Sequence, residues 1–355
     1  MMVKQEIATP LRVLMVTGVY PTEARPHAGT FIKTLADALR DANVEVEVIH
    51  PMPGLVFWRY LIAILQVWWK TYRGNVDIVH GHYGQWCLFA RLQWRVPVVA
   101  AFLGDDLLGT VTVRGGRSAK GALIVRLSRW LSRHVDVALV KSDEMQAAAG
   151  CPSVQVLPDG IDFKLFRPLE RAQVREELGW RQDGYYVLFG NNPDIPVKNV
   201  QLARASIEYL VQHGIKAELI VANGLPQTQL VRYINACNTV ILPSHAEGSP
   251  NIVKEAMACN VPVVATDVGD VSDVIWGTQG CSICPPDPAA FALGLLRAFQ
   301  QCEPTTGRED IAHLEVSVIV RQMIAMYRQI QDDRYTTRRK SMISTGYREK
   351  RELVQ

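Results

Sequence analysis

Long uncharged apolar runs are missing from this sequence. Nowhere do about 18 such residues follow one another, the length a bilayer-spanning helix needs. The first residues lack a signal core of the usual length, because Thr9, Pro10 and Arg12 interrupt it. Cysteine is sparse and odd in number, seven in all, which argues against an obligate disulfide framework. Cys281-Ser-Ile-Cys284 is a lone CxxC with no second pair and no nearby His, whereas a zinc site needs about four ligands. The thiols therefore read as reduced, as in a cytoplasm, and no metal is expected. No GxGxxG is present, so a nicotinamide site is weakly supported. No nucleic-acid motif accompanies the basic residues, and no nucleic-acid partner is expected.

What is present is a globular composition, 48% hydrophobic and 21% charged over 355 residues, a length that suggests two domains. The most informative stretch is 239–275. Val240-Ile-Leu242 reads as a buried strand, Pro243–Glu247 as a loop, and Gly248-Ser249-Pro250 as the entry to a helix. Ser249 suits the N-cap and Pro250 the first helical position. Ile252, Val253, Ala256 and Met257 supply an apolar face, Asn260 stops the helix, and Val261–Ala265 is the next strand. In an open α/β sheet such a loop lies where ligands bind. The N–H groups of Gly248, Ser249 and Asn251 would sit at the positive end of the helix, a place for a phosphate. Glu247 and Glu255 bracket that end and suit sugar hydroxyls. On spacing alone they read equally well as ordinary surface charges.

The string Glu247-Gly-Ser-Pro-Asn-Ile-Val-Lys-Glu255, with Ala256 through Gly269 after it, resembles the E-x7-E donor motif of the family 4 glycosyltransferases. The resemblance implies that Glu247 contacts the donor sugar and Glu255 the nucleotide ribose. Cys259 and Asn260 stand where small residues and Gly are commoner. Other segments fit the same family. Tyr20-Pro21, Gly29, Thr30 and Phe31 resemble its first glycine loop, although Gly29 also reads as a simple helix-entry glycine. Gly81-His82-Tyr83-Gly84 and Leu103-Gly104-Asp105-Asp106 resemble its H-x-H and F-H-G-x-D loops. Both follow short strands, so His82 and Asp106 are expected on the cleft, with Leu103 replacing a usual His. Pro158-Asp-Gly-Ile-Asp162 resembles its P-N-G-V-D element. Gly190–Asn199 resembles the loop that carries an Arg and a Lys to clamp the diphosphate: Lys198 matches the Lys, while Asn191 and Asn192 occupy the place of the Arg.

Charge is unevenly spread. Residues 51–134 hold 11 Lys/Arg against 3 Asp/Glu, and residues 169–330 hold 12 against 17. Within the basic part, Leu55–Trp69 is rich in aromatics and reads two ways, as a mostly buried helix or as an interfacial one touching an anionic membrane. Residues 118–133 read as a basic helix, and Arg114–Arg117 before it as a mobile stretch. Residues 331–355 hold seven Lys/Arg and four Asp/Glu with little apolar periodicity and read as a basic mobile tail.

Strands alternating with helices predict two doubly wound, Rossmann-like α/β domains facing across a cleft, which the resemblance names the GT-B fold. The expected division is 1–165, 166–310 with a linker near 163–182, a helix over 311–330 returning to the first domain, and the tail. The implied function is a retaining, metal-independent glycosyltransferase that moves a sugar from a nucleotide diphosphate donor to a glycan or lipid-linked acceptor. Lys198, Glu247, His82 and Asp106 would be catalytic, and Glu255, Gly248, Ser249, Asn251, Asn191 and Gly29 would bind the donor. No cofactor is expected. The setting would be cytoplasmic, peripheral on the inner face of the membrane. A sugar-nucleotide epimerase, a phosphorylase or a non-catalytic partner subunit are the rival readings.

Overall fold

The computed structural model describes residues 10–50, 56–109, 119–301 and 303–352. Arg114–Arg117 and Cys302 lie outside them. Two parallel sheets carry the fold. The first contains β1 (Arg12–Val16), β2 (Glu45–Ile49), β3 (Ile78–His82), β4 (Val98–Ala101), β5 (Val137–Val140) and β6 (Gln155–Val156), in the order 2-1-3-4-5-6. The second contains β7 (Tyr185–Phe189), β8 (Ala217–Val221), β9 (Thr239–Leu242), β10 (Val263–Ala265) and β11 (Ser282–Ile283), in the order 11-10-9-7-8. The central strands are continuous apolar runs because helices cover both faces of each sheet. The prediction of two doubly wound α/β domains therefore matches the structure.

On the first sheet lie α1 (Thr30–Asp41), α2 (Val56–Tyr72), α3 (Gly84–Arg91), α4 (Asp105–Leu108), α5 (Ala119–Leu131) and α6 (Asp143–Ala149). On the second lie α7 (Arg171–Leu178), α8 (Val200–Gln212), α9 (Gln227–Ala236), α10 (Asn251–Ala258), α11 (Val271–Val274), α12 (Pro288–Gln300) and α13 (Gly307–Asp310). The chain then returns through α14 (Val316–Glu352). Outgoing and returning segments touch: Ile161 N–H donates to Leu314 O at 2.9 Å, and Val316 N–H to Ile161 O at 2.9 Å. A Cβ on Gly160 would sit 2.8 Å from Val316 Cα, so only glycine lets the two passes meet this closely.

Helix α14 buries Val316, Ile319, Val320, Met323, Tyr327 and Ile330, at helical spacing, against Ile32, Leu35 and Leu39 of α1. That places the returning helix on the first domain. It starts at Val316 rather than 311, because Gly307–Leu314 folds into short turns. It also runs on to Glu352, so the backbone expected as a loose tail is helical through that residue. Helix α2 is buried along one face only. Ala63 and Val67 are buried against the sheet, while Trp58, Ile62, Leu65, Trp68, Trp69 and Tyr72 are exposed.

Candidate active site

Seven of the predicted site residues line one cavity of ≈ 470 Å³ between the domains: Gly29, Asn191, Lys198, Glu247, Ser249, Asn251 and Glu255. Each lies in the loop after a parallel strand or in the first two turns of the helix that follows, at the carboxyl edge of the sheet where ligands usually bind. Lys198 closes a short 3-10 turn after β7, and Asn199 follows it with φ 52°, turning the chain into α8. Its Nζ donates to both Glu247 carboxylate oxygens, at 2.6 and 2.8 Å. Ser244 Oγ donates to Glu247 Oε1 at 2.7 Å, which fixes the carboxylate from behind. Gly29 opens α1 with φ 68°, and a Cβ there would meet Val19 O at 2.6 Å.

Helix α10 begins one residue later than its sequence suggests. Pro250 is the N-cap, no side chain caps the helix, and Asn251 is the first helical residue. Ser249 is not the cap because its hydroxyl is engaged elsewhere. It donates to Asp270 Oδ2 at 2.6 Å and accepts from Lys254 Nζ at 2.5 Å. The first-turn N–H groups, which have no partner one turn back, are thereby left for an anion in the cavity. Asn260 does end the helix region, in the left-handed conformation at φ 57°.

Glu255 is buried, and loss of hydration pushes its carboxyl up to about 7, opposed by a hydrogen bond from Gln227. A folded-state value above the ordinary 4.5 means the native protein binds a proton that the unfolded chain releases. Stability should therefore fall as pH rises from about 4.5 through about 7, and Glu255→Gln should flatten that slope. Urea midpoints across this range test it; parallel curves for both proteins would remove the assignment.

Three predicted residues do not line this cavity. His82 is the last residue of β3 and is buried, stacked on His80 at 4.2 Å between ring centres. Burial and the charge of Lys141 push it down to about 3, so it stays neutral. Its neighbour His80 shares a 2.6 Å hydrogen bond with the Tyr327 hydroxyl of α14. The strand reaches three residues beyond its apolar pair Ile78-Val79, which draws His82 inside. Asp106 is also buried. Its carboxylate accepts N–H bonds from Gly84 (3.0 Å), Leu103 (3.1 Å) and Gly104 (3.0 Å), tying together the loops after β3 and β4. Burial nonetheless raises it to about 6, against those N–H bonds. Gly248 sits at the crossing of the domains, where a Cβ would meet Leu103 O at 2.7 Å.

Four residues escaped the sequence reading. Asp105, rather than Asp106, stands near the Lys198–Glu247 pair. Lost hydration and Glu247 raise its carboxyl, and Lys198 lowers it. Its only sequence signal was its place in a strand-end loop. Gln227, beside Glu255, belongs to a helix that begins earlier than its apolar spacing shows. Lys254 and Asp270 support Ser249 from below. Among the lining residues, His27 and Lys198 are the side chains able to carry positive charge.

Residues 172–301 match the family Glycosyl transferases group 1. A D-inositol 3-phosphate glycosyltransferase of Acidothermus cellulolyticus is 26% identical over 309 residues, covering 73% of this chain and 68% of that protein. TuaC of Bacillus subtilis, named for teichuronic acid biosynthesis, is 24% identical over 81% of this chain and 89% of its own. Among solved structures, a sucrose-phosphate synthase from Thermosynechococcus elongatus superposes with a TM-score of 0.73 at 18% identity, over 90% of this chain and 99% of that one. HepE of Anabaena, in complex with UDP and glucose, gives 0.67 at 14% identity, over 90% and 100%. Two parallel-sheet domains closing on a Lys198–Glu247 pair, a helix start with no side-chain cap and Glu255, together with these matches, show a glycosyltransferase on the GT-B fold whose residues 172–301 match the group 1 model.

Proposed function

We propose that this glycosyltransferase takes its sugar from a nucleoside diphosphate donor bound in the ≈ 470 Å³ cavity, with retention of configuration and without a metal. The observation that carries the reading is the grouping of Lys198, Glu247, Glu255 and the α10 start around one space. The diphosphate lies against the first-turn N–H groups of α10 and the Lys198 ammonium, which meet the charge growing on the leaving phosphate. Glu247, held by Lys198 and Ser244, accepts sugar hydroxyls. Glu255 accepts the ribose hydroxyls. Asn191 and Asn192 offer amide donors where the family pattern has an arginine, so Lys198 bears most of the cationic work.

The acceptor side is the first domain, through the loops that Asp106 ties together. A polyol or a cell-surface glycan, lipid-linked or free, fits this reading. The names of the relatives from Acidothermus and Bacillus support that class, and the UDP complex of HepE supports a nucleoside diphosphate donor. No helix of the described residues is long and apolar enough to cross a membrane.

A thermal-shift panel of nucleoside diphosphates and their sugars tests the donor site. A ligand binding only the native state raises the melting point by mass action. One nucleotide family should stabilise the protein, and Glu255→Ala should weaken that effect at least about tenfold in affinity, the cost of losing a charge-assisted hydrogen bond. No shift with any nucleotide would end the proposal.

A further inference from the structure

Helices α2, α3 and α5 pack side by side on one face of the first sheet. Each runs back against the strand direction, so their C-terminal ends meet at the rim opposite the cleft. That rim is built from aromatic and arginine side chains. The end of α2 and the turn after it contribute Trp69, Tyr72 and Arg73; the turn after α3 contributes Trp94 and Arg95; the end of α5 and the turn after it contribute Trp130, Arg133 and His134. Arg73 lies over the Trp69 ring at 4.0 Å, Arg95 over Tyr72 at 4.3 Å, and Trp130 stacks on His134 at 4.3 Å. Trp94 is 71% exposed.

A cavity of ≈ 310 Å³ opens in this rim, lined by Arg91, Arg133 and Arg334 with Trp94, His134 and Asp136. Three guanidiniums thus face one carboxylate. Asp136 is already engaged by Val98 N–H (2.9 Å) and Arg334 Nε (3.2 Å). Arg91 is steadied by His134 O (2.6 Å), and Arg133 by Gly150 O (2.8 Å). Each guanidinium has five donors and spends only one or two of them on these partners, so the cavity keeps an excess of donors and of positive charge. From the rim, an exposed apolar line continues along α2 through Leu65, Ile62 and Trp58 and along α5 through Leu127 and Leu123.

We infer that this face docks on an anionic phospholipid bilayer, with a lipid phosphate entering the Arg91–Arg133–Arg334 cavity and Trp94 and Trp130 lying at headgroup level. Charge decides the occupant. Residues 51–134 carry a strong basic excess, and arginines between exposed indoles match a surface that is anionic outside and apolar just beneath. The rim lies at the far end of the sheet from the donor cavity, so this inference stands apart from the donor assignment.

The test is co-sedimentation of the full chain with phosphatidylglycerol and with phosphatidylcholine vesicles. Binding is expected to the first and not the second, and should weaken with salt. Arg91→Glu with Arg133→Glu should lower the partition coefficient at least about a hundredfold. Trp94→Ser with Trp130→Ser leaves every charge in place and should lower it about tenfold or more, with the melting temperature unchanged. Equal binding to both vesicles, or phosphatidylglycerol binding untouched by the tryptophan pair, would overturn the inference. So would loss of vesicle binding on adding inorganic phosphate, or binding to duplex DNA in place of vesicles.

Discussion

Replacing Lys198 by Ala is expected to lower the rate of sugar transfer by about 10²–10³-fold, with a much smaller change in KM for the donor. The Nζ atom spends two of its three protons on Glu247, at 2.6 and 2.8 Å, and the third is free for the cavity. The 3-10 turn before it and the left-handed Asn199 after it hold the stem of this lysine in place. The ammonium is therefore positioned before the donor arrives, and it does not have to reorganise when the bond to the leaving phosphate breaks. Charge on that phosphate is larger in the transition state than in the bound donor, so the loss should appear in kcat. With no arginine beside Asn191, no guanidinium among the described lining residues takes up the work. Lys198→Arg should recover little, because a planar fork cannot hold Glu247 and point a third donor inward from the same stem. Initial rates of nucleoside diphosphate release, with the donor varied, read both constants. A variant with unchanged kcat and a raised KM would show that Lys198 only helps hold the donor.

The sequence places both residues after strands on the donor side, and the sheet shows why they meet. Lys198 and Glu247 each follow an apolar strand, Tyr185–Phe189 and Thr239–Leu242, and neighbouring parallel strands bring their following loops to one edge. The spacing of Glu247 and Glu255 across a helix start was equally visible. Other features were hidden for physical reasons. His82 and Asp106 look like cleft residues because, in the sequence, each reads as part of a loop after a short strand. Burial is what decides their jobs, and one sequence does not show which loop side chains turn inward. Asp105 and Asp106 are chemically the same residue type, and only the fold shows that one binds backbone N–H groups while its neighbour stands near Lys198. The helical start of Gln227 was missed because its first turn, Gln227–Leu230, is mostly polar. The end of α14 was missed because a charged stretch lacks the apolar period that marks a packed helix. Helix α10 is the sharpest case. Its apolar face was read correctly, yet residues Ile252 through Ala258 are all buried, so the pattern could not show that Lys254 is inside too.

That buried lysine leads to the largest expected loss of stability. Lys254 is 0% exposed and ends against Ser249 Oγ at 2.5 Å and Asp270 Oδ2 at 3.3 Å. Cutting it to Ala removes the cation and leaves the Asp270 carboxylate under α10, held by the Ser249 hydroxyl alone. Asp270 Oδ1 is buried with no hydrogen-bond partner among the described residues. Breaking a buried pair from one side typically costs about 3–5 kcal/mol, because the remaining charge is neither solvated nor matched. Lys254→Ala should cost that much, read as a lower urea midpoint for the unfolding of the second domain. Lys254→Met with Asp270→Leu removes both charges and fills the space with apolar atoms. It should recover much of the loss, since replacing a buried pair by packed hydrophobes is often close to neutral. The double variant should still bind nucleotide less tightly than wild type, because Ser249 would lose both partners that hold it at the lip of the donor cavity. If Lys254→Ala leaves the urea midpoint unchanged, the pair is not a structural unit. If the double variant is no more stable than Lys254→Ala, the orphaned carboxylate is not the source of the loss.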